Sequence, residues 1–169
     1  VIAGEACRVP ASSGAAAPCH VCGVPGDAGY FDDATIQVAP ASLGEEVQVA
    51  QYRLHPQYCG ALLYFAQYAE PAEPPAAPVV VETPGYEWVV LCNNQPRAPY
   101  VPTSVLRNPW GYPAFPVNLR LEEGCTVRLV VRKVVAPSGK TEIPLSRIGG
   151  RLHGRYWYNP IYGGAPSRL

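Results

Sequence analysis

The chain has 169 residues with 13 basic and 13 acidic side chains, a formal charge of zero, and 20 Pro with 16 Gly. Pro and Gly together make up about a fifth of the residues, roughly twice their ordinary share. Neither is tolerated inside a long helix, so this composition excludes a helical bundle. The stretches free of both, such as Glu45 to His55, Ala61 to Glu70, Tyr86 to Gln95 and Cys125 to Ala136, have the length of strands. A chain of this size buries about two thirds of its extended surface and sustains one domain with its own core.

The first 33 residues are an Ala, Gly, Pro and Ser-rich arm with no helix or strand period, and they hold Cys7, Cys19 and Cys22. From Ala34 the pattern becomes a series of short strands. Ala34 to Ala39 is the first. Glu45 to Leu54 follows, with Val47, Val49 and Gln51 alternating against Gln48, Ala50 and Tyr52, which turns one side to a core. Gly60 to Ala69 is apolar enough for a strand buried on both faces, with a short helix as the alternative. The run EPAEPPAAP, Glu70 to Pro78, is an extended loop joining two β blocks.

After the loop come Val79 to Glu82, a Pro84-Gly85 turn, and Tyr86 to Cys92, in which Trp88, Val90 and Cys92 alternate with Glu87, Val89 and Leu91. Asn93-Asn94 is a turn, because Asn tolerates positive φ. Residues 96 to 116 are rich in Pro and aromatics. Val117 to Leu121, a Glu123-Gly124 turn and Cys125 to Val135 follow, with Val127, Leu129 and Val131 on one face. Ser138-Gly139 turns the chain into Lys140 to Leu145, and Arg151 to Tyr158 is the last strand. Many short strands without β-α alternation predict an all-β fold, an antiparallel β-sandwich or jelly roll over residues 34–169, preceded by the extended arm over 1–33.

Three groups of residues bear on function. Cys7, Cys19, His20 and Cys22 contain C-x2-C with an extra thiol and an imidazole, enough for tetrahedral zinc. A second paired knuckle is missing, so no metal is favoured, and a disulfide within or between chains or free thiols are the alternatives. Cys59, Cys92 and Cys125 lie in or beside apolar strands and read as free, buried hydrophobes. His55, His153 and the Asp32-Asp33 pair have no partner motif for nucleophilic or acid-base chemistry, so no catalytic residue and no cofactor is expected.

The third group is the most distinctive. Gly149 to Gly164, GGRLHGRYWYNPIYGG, sets Arg151 and Arg155 around Tyr156, Trp157 and Tyr158, a mixture suited to a protein interface, to stacking on sugars or bases, or to core packing with Trp157 in and both Tyr out. Trp110 and Tyr112 of the NPWGY loop join these as candidate contact residues. Overall neutrality disfavours nucleic acid, which demands a positive surface. No run of 18 apolar residues occurs, and no charged-then-apolar leader, so neither a membrane span nor a signal peptide is expected in the chain. Charge is unevenly divided: residues 1–100 carry Arg8, Arg53 and Arg97 against ten acids, net −7, and residues 101–169 carry ten bases against Glu122, Glu123 and Glu142, net +7. Either these charges mix over one surface or copies pair head to tail.

GALLYF at Gly60–Phe65, a Trp strand ending in CNNQP at Cys92–Pro96, NPWGYPAFPVNLRLEEG at Asn108–Gly124 and GGRLHGRYWYN at Gly149–Asn159 occur in an order that resembles small β-sandwich virion proteins of tailed bacteriophages, the capsid-decoration and head or tail accessory proteins. The resemblance covers residues 45 to 162 and implies a non-enzymatic structural role in a multi-copy particle, with the protein itself or a capsid or tail protein as partner. Its implied location is the virion, assembled in the host cytoplasm. The reading from a different class is an extracellular β-sandwich module that binds carbohydrate through exposed Tyr and Trp.

Overall fold

The structure, a computed structural model, describes residues 24–26, 28–73, 83–96 and 114–158. The arm residues Cys7, Cys19, His20 and Cys22, the loop residues Trp110 and Tyr112, the expected strand Val79 to Glu82 and most of the Pro-rich loop lie outside them. Eight strands are present: β1 (Gly29–Val38), β2 (Glu46–Arg53), β3 (Tyr58–Pro71), β4 (Tyr86–Cys92), β5 (Gln95–Pro96), β6 (Ala114–Leu121), β7 (Thr126–Lys133) and β8 (Leu145–Tyr158). The described residues contain no helix, and the strands form two antiparallel four-stranded sheets in the orders β1-β8-β3-β6 and β2-β7-β4-β5. β1 pairs with β8, β2 with β7, β3 with β6 and β4 with β5, so the pairs are nested one inside the next along the chain.

The sheets face each other across one core. Trp88, Val90 and Cys92 of β4 and Val127, Leu129 and Val131 of β7 meet Leu62 and Phe65 of β3 and Ile148 and Leu152 of β8 there. Burial of each such side chain stabilises the fold by about 1.5–3 kcal/mol. The Asn93-Asn94 turn has φ of 48° and 65°, and the Asn93 side chain accepts the Thr126 backbone N–H at 2.9 Å. Lys133 is the buried base of the second sheet. Burial pushes its pKa down, but hydrogen bonds to Glu142 and to the Tyr86 hydroxyl outweigh this and leave it raised.

Four expectations change. β1 begins at Gly29, so the last five residues assigned to the arm belong to the sheet. In β2 a bulge between Gln48 and Ala50 reverses the alternation, burying both Val49 and Ala50 and turning Tyr52 to the core and Gln51 to solvent. Lys140 to Pro144 is irregular, held by bonds such as Ala72 N–H to the Pro144 carbonyl at 2.8 Å, and β8 starts only at Leu145. Cys59 is not a thiol but disulfide-bonded.

Cys92 and Cys125 are buried thiols. Cys59 sits opposite Trp157 on the side of β3 that faces away from the main core, where Val24, Ala28, Ala61 and Trp157 form a second, small apolar cluster. Val24 and Ala28, which precede β1, thus cover this face. In denaturant without reductant, iodoacetamide is expected to label Cys92 and Cys125 and spare Cys59; peptide mass spectrometry showing Cys59 alkylated at once would exclude the bond.

Candidate functional site

Side chains alternate along a strand, and directly paired residues of an antiparallel sheet share a face. Along β8 the core side carries Ile148, Gly150, Leu152, Gly154 and Tyr156, and the outer side carries Arg147, Gly149, Arg151, His153, Arg155 and Trp157. Pairing with β1 and β3 extends the outer positions into cross-strand rows: Val38–Arg147–Glu70, Ile36–Gly149–Tyr68, Ala34–Arg151–Ala66, Asp32–His153–Tyr64 and Tyr30–Arg155–Ala61. A second bulge, between Leu62 and Tyr64, is what brings Tyr64 to this outer side.

The charged groups of this face are fixed in place. Arg151 donates from Nε to Asp32 Oδ1 at 2.7 Å and from Nη2 to Oδ2, a bidentate pair. The Arg151 hydrogen bonds hold the Asp32 carboxyl below its ordinary range, and the same bonds raise Arg151. Arg155 donates to the Ala28 carbonyl at 2.6 Å and lies over the Tyr30 ring at 4.1 Å, a cation–π contact. His153 stacks on Tyr64 at 4.7 Å and leans on Tyr30 at 5.7 Å. Its Nδ1 is buried, has no hydrogen-bond partner in the structure, and stands 3.9 Å from Asp32 Oδ2.

Next to these groups the face is open and apolar. Ile36 and Tyr68 stand on either side of Gly149 in the sheet, and a trough of about 510 Å3 is lined by Ile36, Tyr68, Ala34, Ala66, Gly150 and Arg151. Exposure is 46% for Ile36, 77% for Val38, 63% for Tyr30 and 42% for Tyr68. The Tyr68 hydroxyl donates to Glu70 at 3.0 Å, which raises its pKa.

The expected contact residues of β8 divide between two places. Arg151, Arg155 and Trp157 are on the outer face, but Trp157 is buried in the small cluster with Val24 and Ala28, and Arg120 lies 5.8 Å over its ring. Burial of Trp157 therefore comes from the far side of the sheet, opposite to the expected main core. Tyr156 and Tyr158 are on the core side, at the end of the sandwich. There Tyr156 meets Tyr52 at 6.4 Å and Tyr58 at 5.8 Å, and Tyr158 meets Tyr58 edge-on at 5.8 Å. Burial, with the neighbouring Tyr156, pushes the Tyr52 hydroxyl up. Tyr30, Ile36, Tyr64 and Tyr68 of the outer face and Tyr52 and Tyr58 of the end cluster do not stand out as contact residues in the sequence, and His55 is noted there only as lacking a partner motif. The period-2 set Tyr30, Asp32, Ala34, Ile36 and Val38 is the signal that reveals the first of them.

The nested strand order sets the acidic half of the chain beside the basic half. Asp32 pairs with Arg151, and Glu87 accepts Arg132 Nε at 2.9 Å, so opposite charges from the two halves meet within one subunit. Among the described residues no group of three or more His, Cys, Asp or Glu is arranged to hold a metal ion. The chain matches no protein-family model, no curated protein and no solved structure.

Proposed function

We propose that the chain is a non-enzymatic structural subunit of a virus particle or similar multi-copy assembly, of the capsid-decoration or head-tail accessory kind, which packs against neighbouring copies through the outer face of the β1-β8-β3-β6 sheet. The observation that carries this reading is the composition of that face. Its exposed apolar groups are Tyr30, Ile36, Val38 and Tyr68, lying side by side in register with Arg147, Arg151 and Arg155, and no Lys is among them. Tyr and Arg are the residues enriched in protein interfaces and their hot spots, while Lys is depleted. The bidentate pairing of Arg151 and the stacking of Arg155 hold both guanidinium groups in one geometry before any partner arrives, which lowers the entropy cost of docking.

Two further features support the reading. The nested pairing β1·β8, β2·β7, β3·β6 and β4·β5 supports a jelly-roll winding, an architecture used by viral capsid and lectin domains. The Cys59 disulfide suits a protein exposed to an oxidising exterior, as on a released particle.

The test is light scattering after size exclusion, with the wild type beside Ile36→Glu and Tyr68→Ala. The wild type is expected to form a defined oligomer. Both variants are expected to shift it towards monomer with an unchanged melting temperature, because these side chains contribute to no core. A wild type that is monomeric at its highest soluble concentration would overturn docking between copies through this face.

A further inference from the structure

The end of the sandwich holds a cavity of about 360 Å3 lined by Tyr52, Leu54, His55, Tyr58 and Tyr156. It is separate from the outer face: Tyr52 and Tyr156 point to the core side of their strands, and His55 belongs to the turn between β2 and β3. Its size is that of a small-ligand site, which is apolar in its walls with a few convergent polar groups.

The three tyrosine walls are braced by neighbouring residues. Phe31 stacks flat on Tyr52 at 4.1 Å with the rings 6° apart. Tyr58 is met edge-on by Tyr158 at 5.8 Å and by His55 at 6.0 Å. The Tyr156 ring lies directly over Gly29, where a Cβ would stand 2.6 Å from Cζ, so only glycine at that position lets the ring adopt this pose. Tyr58 and Tyr156 are inclined at 64° to each other, and the fully buried Leu54 lines the cavity with them. Rings locked in this way present a preorganised surface.

The polar chemistry is equally specific. All three wall rings are Tyr, so each brings an apolar face and a hydroxyl. His55 Nδ1 lies 2.6 Å from the Pro56 carbonyl, and a carbonyl only accepts, so Nδ1 carries the hydrogen and Nε2 of the neutral ring is an acceptor. Among the described lining residues no carboxylate, ammonium or guanidinium is present to pair with an ion. A charged ligand would lose its hydration without compensation, and a wholly apolar one would leave the hydroxyls unpaired.

The geometry points to a binding site for a neutral sugar ring, with its C–H faces on Tyr58 and Tyr156 and its hydroxyls hydrogen-bonded to the tyrosine hydroxyls and to His55 Nε2. This goes beyond the assembly reading and does not depend on it, because the site lies at the end of the sandwich and stays within one subunit.

The probes are the methyl glycosides of glucose, galactose, mannose and N-acetylglucosamine, titrated into the full chain and followed by saturation-transfer NMR and tyrosine fluorescence. At least one is expected to bind saturably. Tyr58→Ala and Tyr156→Ala are each expected to weaken that binding by about tenfold or more, the loss of one stacked ring. Tyr58→Phe, which keeps the packing and therefore the fold, is expected to lose a smaller factor, about two- to tenfold, for one hydrogen bond. Tyr68→Ala on the outer face is expected to bind as the wild type does. The proposal is overturned if none of the four glycosides binds saturably, if binding is unchanged in Tyr58→Phe and Tyr156→Ala, or if it is lost in Tyr68→Ala. Oligomeric state is read separately by light scattering, so failure of the sugar site and failure of the assembly reading give different results.

Discussion

Replacing Trp88 with Ala is expected to destabilise the fold by about 3–5 kcal/mol, a large part of the 5–15 kcal/mol that a domain typically has. Trp88 is 1% exposed and lies between the sheets, and its indole N–H donates to the Gly149 carbonyl of the opposite sheet at 3.0 Å. The substitution removes both the largest side chain of the core and a polar tie between the sheets. Trp88→Phe separates the two effects: most of the volume stays, and the cost of the missing donor is about 1–3 kcal/mol. Urea unfolding with the disulfide intact measures both, read as a shift in midpoint at constant slope. The order wild type, Trp88→Phe, Trp88→Ala in falling stability is the expected result. A Trp88→Ala variant within about 1 kcal/mol of wild type would mean that the sheets are not packed around this residue.

The tie bears on the proposed docking face, because Gly149 is paired directly with Ile36 and with Tyr68. The Gly149 carbonyl is held from beneath by the core through this bond. Loss of Trp88 is therefore expected to disturb the outer face even in molecules that remain folded, whereas Tyr68→Ala leaves the core untouched. The two substitutions distinguish support of the face from contact made by it.

The main core was legible wherever a strand keeps strict alternation and places branched or aromatic residues on the buried side. β4 and β7 are of this kind: alternation groups Trp88, Val90 and Cys92, and Val127, Leu129 and Val131, on one side each, and all six are in the core. β1 was not legible as far as Gly29 for a definite reason. It is an edge strand, and of its core-side residues Phe31, Asp33, Thr35 and Gln37 only Phe31 is apolar and buried. Asp33 instead reaches the neighbouring edge strand, accepting the Gln51 N–H at 2.7 Å. A strand that satisfies its inner side with such a bond carries its apolar period, Ala34, Ile36 and Val38, on the outer side instead.

The bulges hid the rest of the site. One extra residue at Val49 turns Tyr52 inward to the end cavity, and one at Leu63 turns Tyr64 outward to His153. A bulge leaves no mark in local composition, so the register beyond it is not readable from alternation. In β8 the obstacle was different. Small residues, Gly150 and Gly154, occupy core positions while Arg151, Arg155 and Trp157 face away, so bulk does not report which side is inside. The burial of Trp157 depends on Val24 and Ala28, which are distant in sequence and carry no periodic signal.

Gly154→Ala should therefore be as damaging as removal of a large core residue, although it adds a single methyl group. A Cβ at Gly154 would lie 2.3 Å from the Ala61 carbonyl oxygen and 2.3 Å from Phe31 Cζ. The carbonyl belongs to β3, the partner of β8 in the centre of its sheet, and cannot retreat without opening that ladder. Phe31 is clamped by its stack on Tyr52. With both neighbours fixed, the strain is expected at about 3 kcal/mol, the upper end of ordinary overpacking. Gly44→Ala is the matched control: it has positive φ but open space around it, so its cost is expected at about 1 kcal/mol. Phe31→Leu in the Gly154→Ala background removes one of the two clashes and should cost less than the sum of the single changes, a coupling that a double-mutant cycle measures. Strict additivity would show that Phe31 does not rest on Gly154. That contact matters beyond stability, since the inward seat of Phe31 is what turns its neighbours Tyr30 and Asp32 outward, where they meet Arg155 and Arg151.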